Sequence, residues 1–201
     1  VSRPRGQQRQ DLLDNAMRVF WEHGYEATSI EDLVRETGVS RAGLYAEHGG
    51  KKALFAACMR HYREAVVASA FGRVERPDAG FEQIDAYFAD LLGRIDEHGL
   101  PALGCLFANA MTEIGAHDAE VAALVRAHNT RLRDGFRHAL SNAAPDAEAT
   151  RVDQLAEFLA ISAQGLWSHA RSVDSIDPLR RHAETLLRLV RGQIDREMIE
   201  T

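Results

Sequence analysis

Two groups of residues in this chain have types and spacing suited to chemistry. The first is a basic start: Arg3, Arg5 and Arg9 fall within nine residues that hold no acid. A basic arm ahead of a helix can enter a minor groove or touch phosphates, and the same composition also describes a solubilising tail. Further on, Ser40 follows Thr37-Gly38-Val39, where a hydroxyl can cap a helix or reach a phosphate, and a helix start itself favours an anion. The second group is Glu113, His117 and Asp118. These could converge on a polar patch or a metal, but helix starts and surface pairing explain them more simply, and no metal site is assigned. Cys58 and Cys105 lie among apolar residues, the setting of a small hydrophobe rather than of a reactive thiolate. No HExxH run and no phosphate-binding glycine loop occurs, so neither a catalytic residue nor a cofactor is assigned.

Helices must place these residues. The 201 residues are 45% hydrophobic and 27% charged, enough to bury a core and unlike a fibrous or disordered chain. No run of eighteen apolar residues occurs and no apolar signal core follows the start, so a cytoplasmic protein with no membrane partner is expected. The five prolines stand where the pattern changes, and the stretches between them are rich in Ala, Leu, Arg and Glu. This predicts an all-α fold of about nine helices. The first covers 8–23, with an apolar stripe of Leu12, Leu13, Ala16, Met17, Val19 and Phe20. Thr28 to Glu31 reads as a capping box, Gly38 as a helix stop, and Gly49-Gly50 as a break before a longer helix from Lys51 that buries Leu54, Phe55, Cys58, Met59, Tyr62 and Val66. Later helices are expected over 80–97, 102–114, 118–140, 148–171 and 178–198.

The net charge of −6 argues at first sight against nucleic acid, but it is unevenly divided. Residues 1–64 hold ten Lys or Arg against nine acids, whereas residues 65–201 hold fourteen against twenty-one. Within the near-neutral part, two short helices joined through Thr37-Gly38-Val39-Ser40 have the spacing of a helix–turn–helix, whose second helix enters the major groove while the first braces it. The run Phe20-Trp21-Glu22-His23-Gly24-Tyr25-Glu26-Ala27-Thr28-Ser29-Ile30, then Gly38-Val39-Ser40-Arg41-Ala42-Gly43-Leu44-Tyr45, then Gly49-Gly50-Lys51-Lys52-Ala53-Leu54-Phe55, closely resembles the DNA-binding domain of the TetR family of transcriptional regulators. His48 departs from the pattern: the family usually has a packing aromatic there.

The resemblance implies a homodimer with one reader per subunit on a roughly palindromic, double-stranded operator. It implies that Tyr45 and Lys51 touch the DNA backbone, that Thr28 contacts phosphate, and that Arg41, Ala42 and Gly43 face the major groove. With Arg3, Arg5 and Ser40 these form the expected DNA-binding set. It also implies a domain division at 1–50 for the reader, with 51–70 connecting, and 71–201 for a helical effector-binding and dimerisation domain. The segment Ala102-Leu103-Gly104-Cys105-Leu106-Phe107-Ala108-Asn109-Ala110, with Glu113 just after, is similar to a pattern in one branch of the family. Phe88, Phe107, Met111, His128, Phe136 and Trp167 are expected to line a pocket for a small organic effector. Phe158, Ser162, Leu166, Leu179, Ala183, Leu186, Leu187, Val190 and Ile194 are expected at the dimer interface. The expected function is a repressor released from its operator by that effector. The alternatives are a thiol-based redox-sensing regulator acting through Cys58 or Cys105, and a helical enzyme or interaction module without sequence-specific DNA binding.

Overall fold

The computed structural model describes residues 5–195, and every regular element among them is helical. Helix α1 spans Arg5–His23, beginning ahead of Gln8, so most of the basic start is helical rather than an extended arm. Its inward stripe of Leu12, Ala16, Val19 and Phe20 is buried. Helix α2 covers Ile30–Thr37 and is opened by Ser29: the Ser29 hydroxyl accepts from the Asp32 amide and the Asp32 carboxylate accepts from the Ser29 amide. The expected Thr28–Glu31 box is thus displaced by one residue, because the Thr28 hydroxyl is committed to the Gly24 carbonyl at 2.6 Å. Gly38 ends α2 in the left-handed region at φ 70°, which a side chain would strain. Helix α3, Arg41–His48, starts with the Ser40 hydroxyl accepting from the Gly43 amide at 3.2 Å.

Helix α4, Lys51–Tyr62, continues through a π turn at Arg63–Val67 into α5, Ala68–Phe71. A π turn inserts one residue into the helical repeat. The buried position therefore passes from the expected Val66, which is half-buried, to Val67. There follow α6 at Phe81–His98, α7 at Leu106–Glu113, α8 at Ala119–Ala143, α9 at Ala149–His169 and α10 at Asp177–Asp195. Counting α4 to α5 as one rod, nine helices occur among the described residues. Helix α7 starts later than residue 102; Cys105 stands at its N-terminus in extended conformation. Met198, placed in the last helix by its apolar stripe, lies outside the described residues.

The chain forms two compact units. The first joins residues up to 66 with a returning segment, 105–127. Its core stacks Phe20 edge-on to Phe55 at 4.9 Å, Trp21 on Tyr62 at 5.0 Å and Tyr62 on Phe107 at 5.9 Å, around buried Leu33, Leu44, Leu54 and Met59. The second unit comprises 67–104 and 128–201. Its centre is a cluster of Phe71, Tyr87, Phe88 and Phe136, with ring centroids 5.1 Å apart for Phe71–Phe136 and 5.2 Å for Phe71–Tyr87. Gly135 lets α8 lie against this cluster, since a methyl there would fall 2.5 Å from the Phe71 ring. Buried Leu155, Leu159 and Leu166 of α9 and Leu186, Val190 and Ile194 of α10 complete the second core.

Candidate nucleic-acid interface

Leu33 and Leu44 anchor α2 and α3 from the inside, which leaves the outer face of α3 to solvent. Arg41 and Ala42 are exposed, and Tyr45 is 45% exposed despite its large ring. The Tyr45 ring rests close to Gly50, where a methyl group would lie 3.2 Å from it. Arg41 pairs with Glu31 at 3.1 Å; both side chains are exposed, so the pair is weak and easily exchanged for another anion. Gly43 is half-buried, and a methyl there would meet Val39 at 2.9 Å, so its smallness serves the packing of the turn against α3. The Ser40 hydroxyl is used in capping. At the start of α4, Lys51 holds its ammonium 4.3 Å above the Tyr25 ring and donates to the Glu26 carbonyl at 3.5 Å. Arg3 lies outside the described residues, as does the side chain of Arg5.

Thr28 differs from its expected place. It is 1% exposed and its hydroxyl donates inward, so it shapes the α1–α2 turn instead of presenting a group to phosphate. His48, at the end of α3, tucks its ring inward, where burial pushes its pKa down against the opposing pull of Glu47. Its Nε2 is buried with no hydrogen-bond partner.

The three polar residues at 113–118 do not converge. The Glu113 carboxylate accepts from two consecutive amides of the α1–α2 turn, Tyr25 at 2.9 Å and Glu26 at 2.7 Å. The Asp118 carboxylate accepts from the Glu120 and Val121 amides at the start of α8 and pairs with Lys52. The bond to Lys52 is the main cause of the low pKa of Asp118, and the same bond raises the pKa of Lys52. Glu120 pairs with Arg60 on α4. The returning segment is thus tied to α4 and to the turn before α2 by three carboxylates. Sequence reading missed these links, because no local pattern reveals a partner 88 residues away. Among the described residues no group of three or more His, Cys, Asp or Glu is arranged to hold a metal ion.

The expected effector residues divide between the units. Phe107 and Met111 belong to the first, where Phe107 is buried under Tyr62 and Met111 is 41% exposed. Phe88, His128 and Phe136 are buried in the second, and Trp167 is half-buried there. Burial in an apolar setting pushes the His128 imidazole down to about 4, aided by the Arg131 charge. Beside it in sequence, Asn129 accepts from the Gln164 amide, whose own carbonyl oxygen is buried without a hydrogen-bond partner. A recess of about 550 Å³ in this unit is lined by Asp85, Glu184, Leu187, Arg188, Arg191 and Gly192, none of them an expected effector residue.

On α9 and α10, Ser162, Leu166, Leu179, Ala183, Leu186, Val190 and Ile194 are buried within the subunit. They are core because each lies on the stripe that faces the neighbouring helices. The large apolar side chains left exposed on these helices are Phe158, Ile161 and Leu189, with Leu187 half-buried. Both cysteines are buried and neither forms a disulfide; burial pushes both thiols up, away from thiolate chemistry.

A family profile described as bacterial regulatory proteins, tetR family, matches residues 12–58, and one described as tetracyclin repressor-like, C-terminal domain, matches residues 80–186. The chain is 34% identical over 194 residues to the HTH-type transcriptional repressor ComR of Escherichia coli, covering 93% of this chain and 90% of ComR. It is 31% identical over 180 residues to the HTH-type transcriptional regulator YezE of Bacillus subtilis, covering 88% and 92%. Among solved structures, a cysteine mutant of the TetR-family regulator CifR, complexed with 26-base-pair operator DNA, superposes with a TM-score of 0.75 at 27% identity over 92% of this chain and 98% of that one. The helix–turn–helix with its exposed tyrosine and the helical second unit are therefore those of a DNA-binding regulator, and the chain belongs to the TetR family of transcriptional regulators.

Proposed function

We propose that this chain is a homodimeric repressor that binds a roughly palindromic duplex through α3 and leaves it when a small organic effector binds the second unit. The observation that carries the reading is the outer face of α3: a tyrosine 45% exposed beside exposed Arg41 and Ala42, on a helix pinned from behind by Leu44. An aromatic hydroxyl and a guanidinium there are suited to phosphate and base edges, and Ala42 is suited to close approach or a thymine methyl. Lys51 adds a cation at the start of α4, while Arg3 and Arg5 at the chain start would add further phosphate contacts. Thr28 acts from inside the turn.

Pairing would use the exposed Phe158 and Ile161 of α9 with Leu187 and Leu189 of α10, side chains that a second copy can cover. The effector site would draw on the second unit, where buried His128 and the half-buried Asn129–Gln164 pair supply polar groups. The likeness to ComR, a repressor by its description, supports the direction of control. No helix among the described residues is long and apolar enough to cross a membrane, consistent with work in the cytoplasm, and the assignment is to regulation without catalysis.

The test is enrichment from a pool of random duplexes. Sequencing the retained DNA should return one motif with two inverted half-sites, bound by a dimer. Retention without an enriched motif, or a monomer at micromolar concentration with the motif bound, would defeat the reading.

A further inference from the structure

We infer that Glu113, on α7, is a positioning residue for DNA reading: its carboxylate sets the α1–α2 turn from which the helix–turn–helix starts. The inference rests on the operator-reading function proposed above. The carboxylate is seated on backbone rather than on a side chain. One oxygen accepts from the Tyr25 amide at 2.9 Å and the other from the Glu26 amide at 2.7 Å. Two successive amides facing one anion make a small concave site in which charge-assisted hydrogen bonds are stronger and better aligned than neutral ones. The seat requires a glycine. A methyl on Gly24 would lie 2.9 Å from both carboxylate oxygens, and Gly24 sits at φ +84°.

Besides the bond from the Gly24 amide back to Phe20 on α1, the contacts of the turn lead toward the reader. The Gly24 carbonyl receives the Thr28 hydroxyl, the Tyr25 ring packs on Phe55 at 5.0 Å and lies under the Lys51 ammonium, and the Glu26 carbonyl faces the same ammonium. Ser29 then caps α2. A displacement of the turn therefore moves the start of α2 and the Lys51 contact together. α3 follows through the short Gly38 turn.

The sign of the effect separates this role from simple electrostatics. Removing an acidic charge from a DNA-binding unit should tighten binding through the general field. Loss of positioning should weaken binding to the selected operator and leave random duplex unchanged or tighter, lowering the specificity ratio. The experiment measures both affinities for the full-length wild type and for Glu113→Ala and Glu113→Gln, with amide hydrogen exchange read residue by residue. The probes are the duplex selected by the wild type and a random duplex of equal length.

Glu113→Ala should weaken operator binding by about tenfold and speed exchange at Tyr25 and Glu26, with exchange at Leu54 and Phe55 unchanged. Glu113→Gln keeps the length and one acceptor oxygen, so it should fall between the two. Operator affinity equal to or above wild type in Glu113→Ala would overturn the inference, as would equal losses on both duplexes. If Glu113→Ala does not fold, Glu113→Gln and the wild-type exchange decide: unprotected Tyr25 and Glu26 amides in the wild type would overturn it outright. A wild type that enriches no duplex defeats the operator reading instead, while the exchange measurement still tests the hold on the turn.

Discussion

Both units combine an aromatic core with carboxylates that reach across long stretches of chain, and they differ in what those carboxylates grip. In the first, an aromatic core is supplemented by carboxylates that reach across long stretches of chain: Glu113 to the Tyr25 and Glu26 amides, Asp118 to Lys52, Glu120 to Arg60. In the second, the centre is a cluster of four aromatic rings and the long-range carboxylates pair with arginines, Glu75 with Arg131 and Asp85 with Arg191; His128 is buried in this unit, and Asn129 and Gln164 are half-buried. Charged hydrogen bonds are directional, so they fix orientation where helices must meet a rigid surface. The aromatic cluster of the second unit contributes mainly through burial, which is large in free energy. The comparison predicts that loosening the Glu113 seat on the Tyr25 and Glu26 amides alters DNA reading, whereas opening the aromatic cluster of the second unit alters stability.

The largest test of that contrast is Phe136→Ala. The ring is fully buried against Phe71, Tyr87 and Phe88, so its loss should cost about 3–5 kcal/mol in denaturant unfolding. A cost below about 1 kcal/mol would mean the cluster is not the keystone of its unit.

Next comes acid. His128 has its pKa pushed down to about 4 by burial, from an ordinary value near 6.5 in the unfolded chain. The unfolded state therefore binds the extra proton between those values, so stability from this group is complete above about pH 6.5 and is lost as pH falls toward 4. The loss should be roughly 3 kcal/mol, an order-of-magnitude figure. A His128→Leu variant should show a flatter acid limb in unfolding measured against pH, and an identical limb would remove His128 as its cause.

Exposed Tyr45 and half-buried Lys51 of the first unit should behave oppositely, with little effect on unfolding but a clear one on DNA. Tyr45→Ala should weaken operator binding roughly tenfold across sequences, and Lys51→Ala should lower the slope of log affinity against log salt by about 1. Salt-titrated binding reads both, and unchanged affinity in the double variant would refute the contact. The smallest effect is expected from oxidation. With Cys58 and Cys105 buried and their thiols pushed up, a thiol oxidant should leave operator affinity unchanged, and any loss that a reductant reverses would restore the redox reading.

Much of this was legible in the sequence because it is local. Gly38 and Ser40 define the reader's turn, and the stripes of α1, α8 and α10 announce a helical core, since each rests on residues a turn or two apart. What depended on distant partners was not legible. Thr28 reads as a cap or a phosphate ligand until Gly24 is seen to take its hydroxyl. The inward stripe of α10 reads equally as interface or core, and only the packing of α9 shows that Leu179, Ala183, Leu186, Val190 and Ile194 are core. The π turn at Arg63–Val67 carries no composition signal, yet it decides that Val67 rather than Val66 is buried.

The returning segment has a practical consequence for protein engineering. Hybrid regulators are most simply made by splicing one chain's reader to another's sensor at a single junction. Here a cut after residue 66 would leave Tyr62 without Phe107, Lys52 without Asp118, and the Tyr25 and Glu26 amides without their carboxylate. The transplantable part is a discontinuous one, and a graft that keeps its behaviour has to carry residues 105–127 along with the first 66.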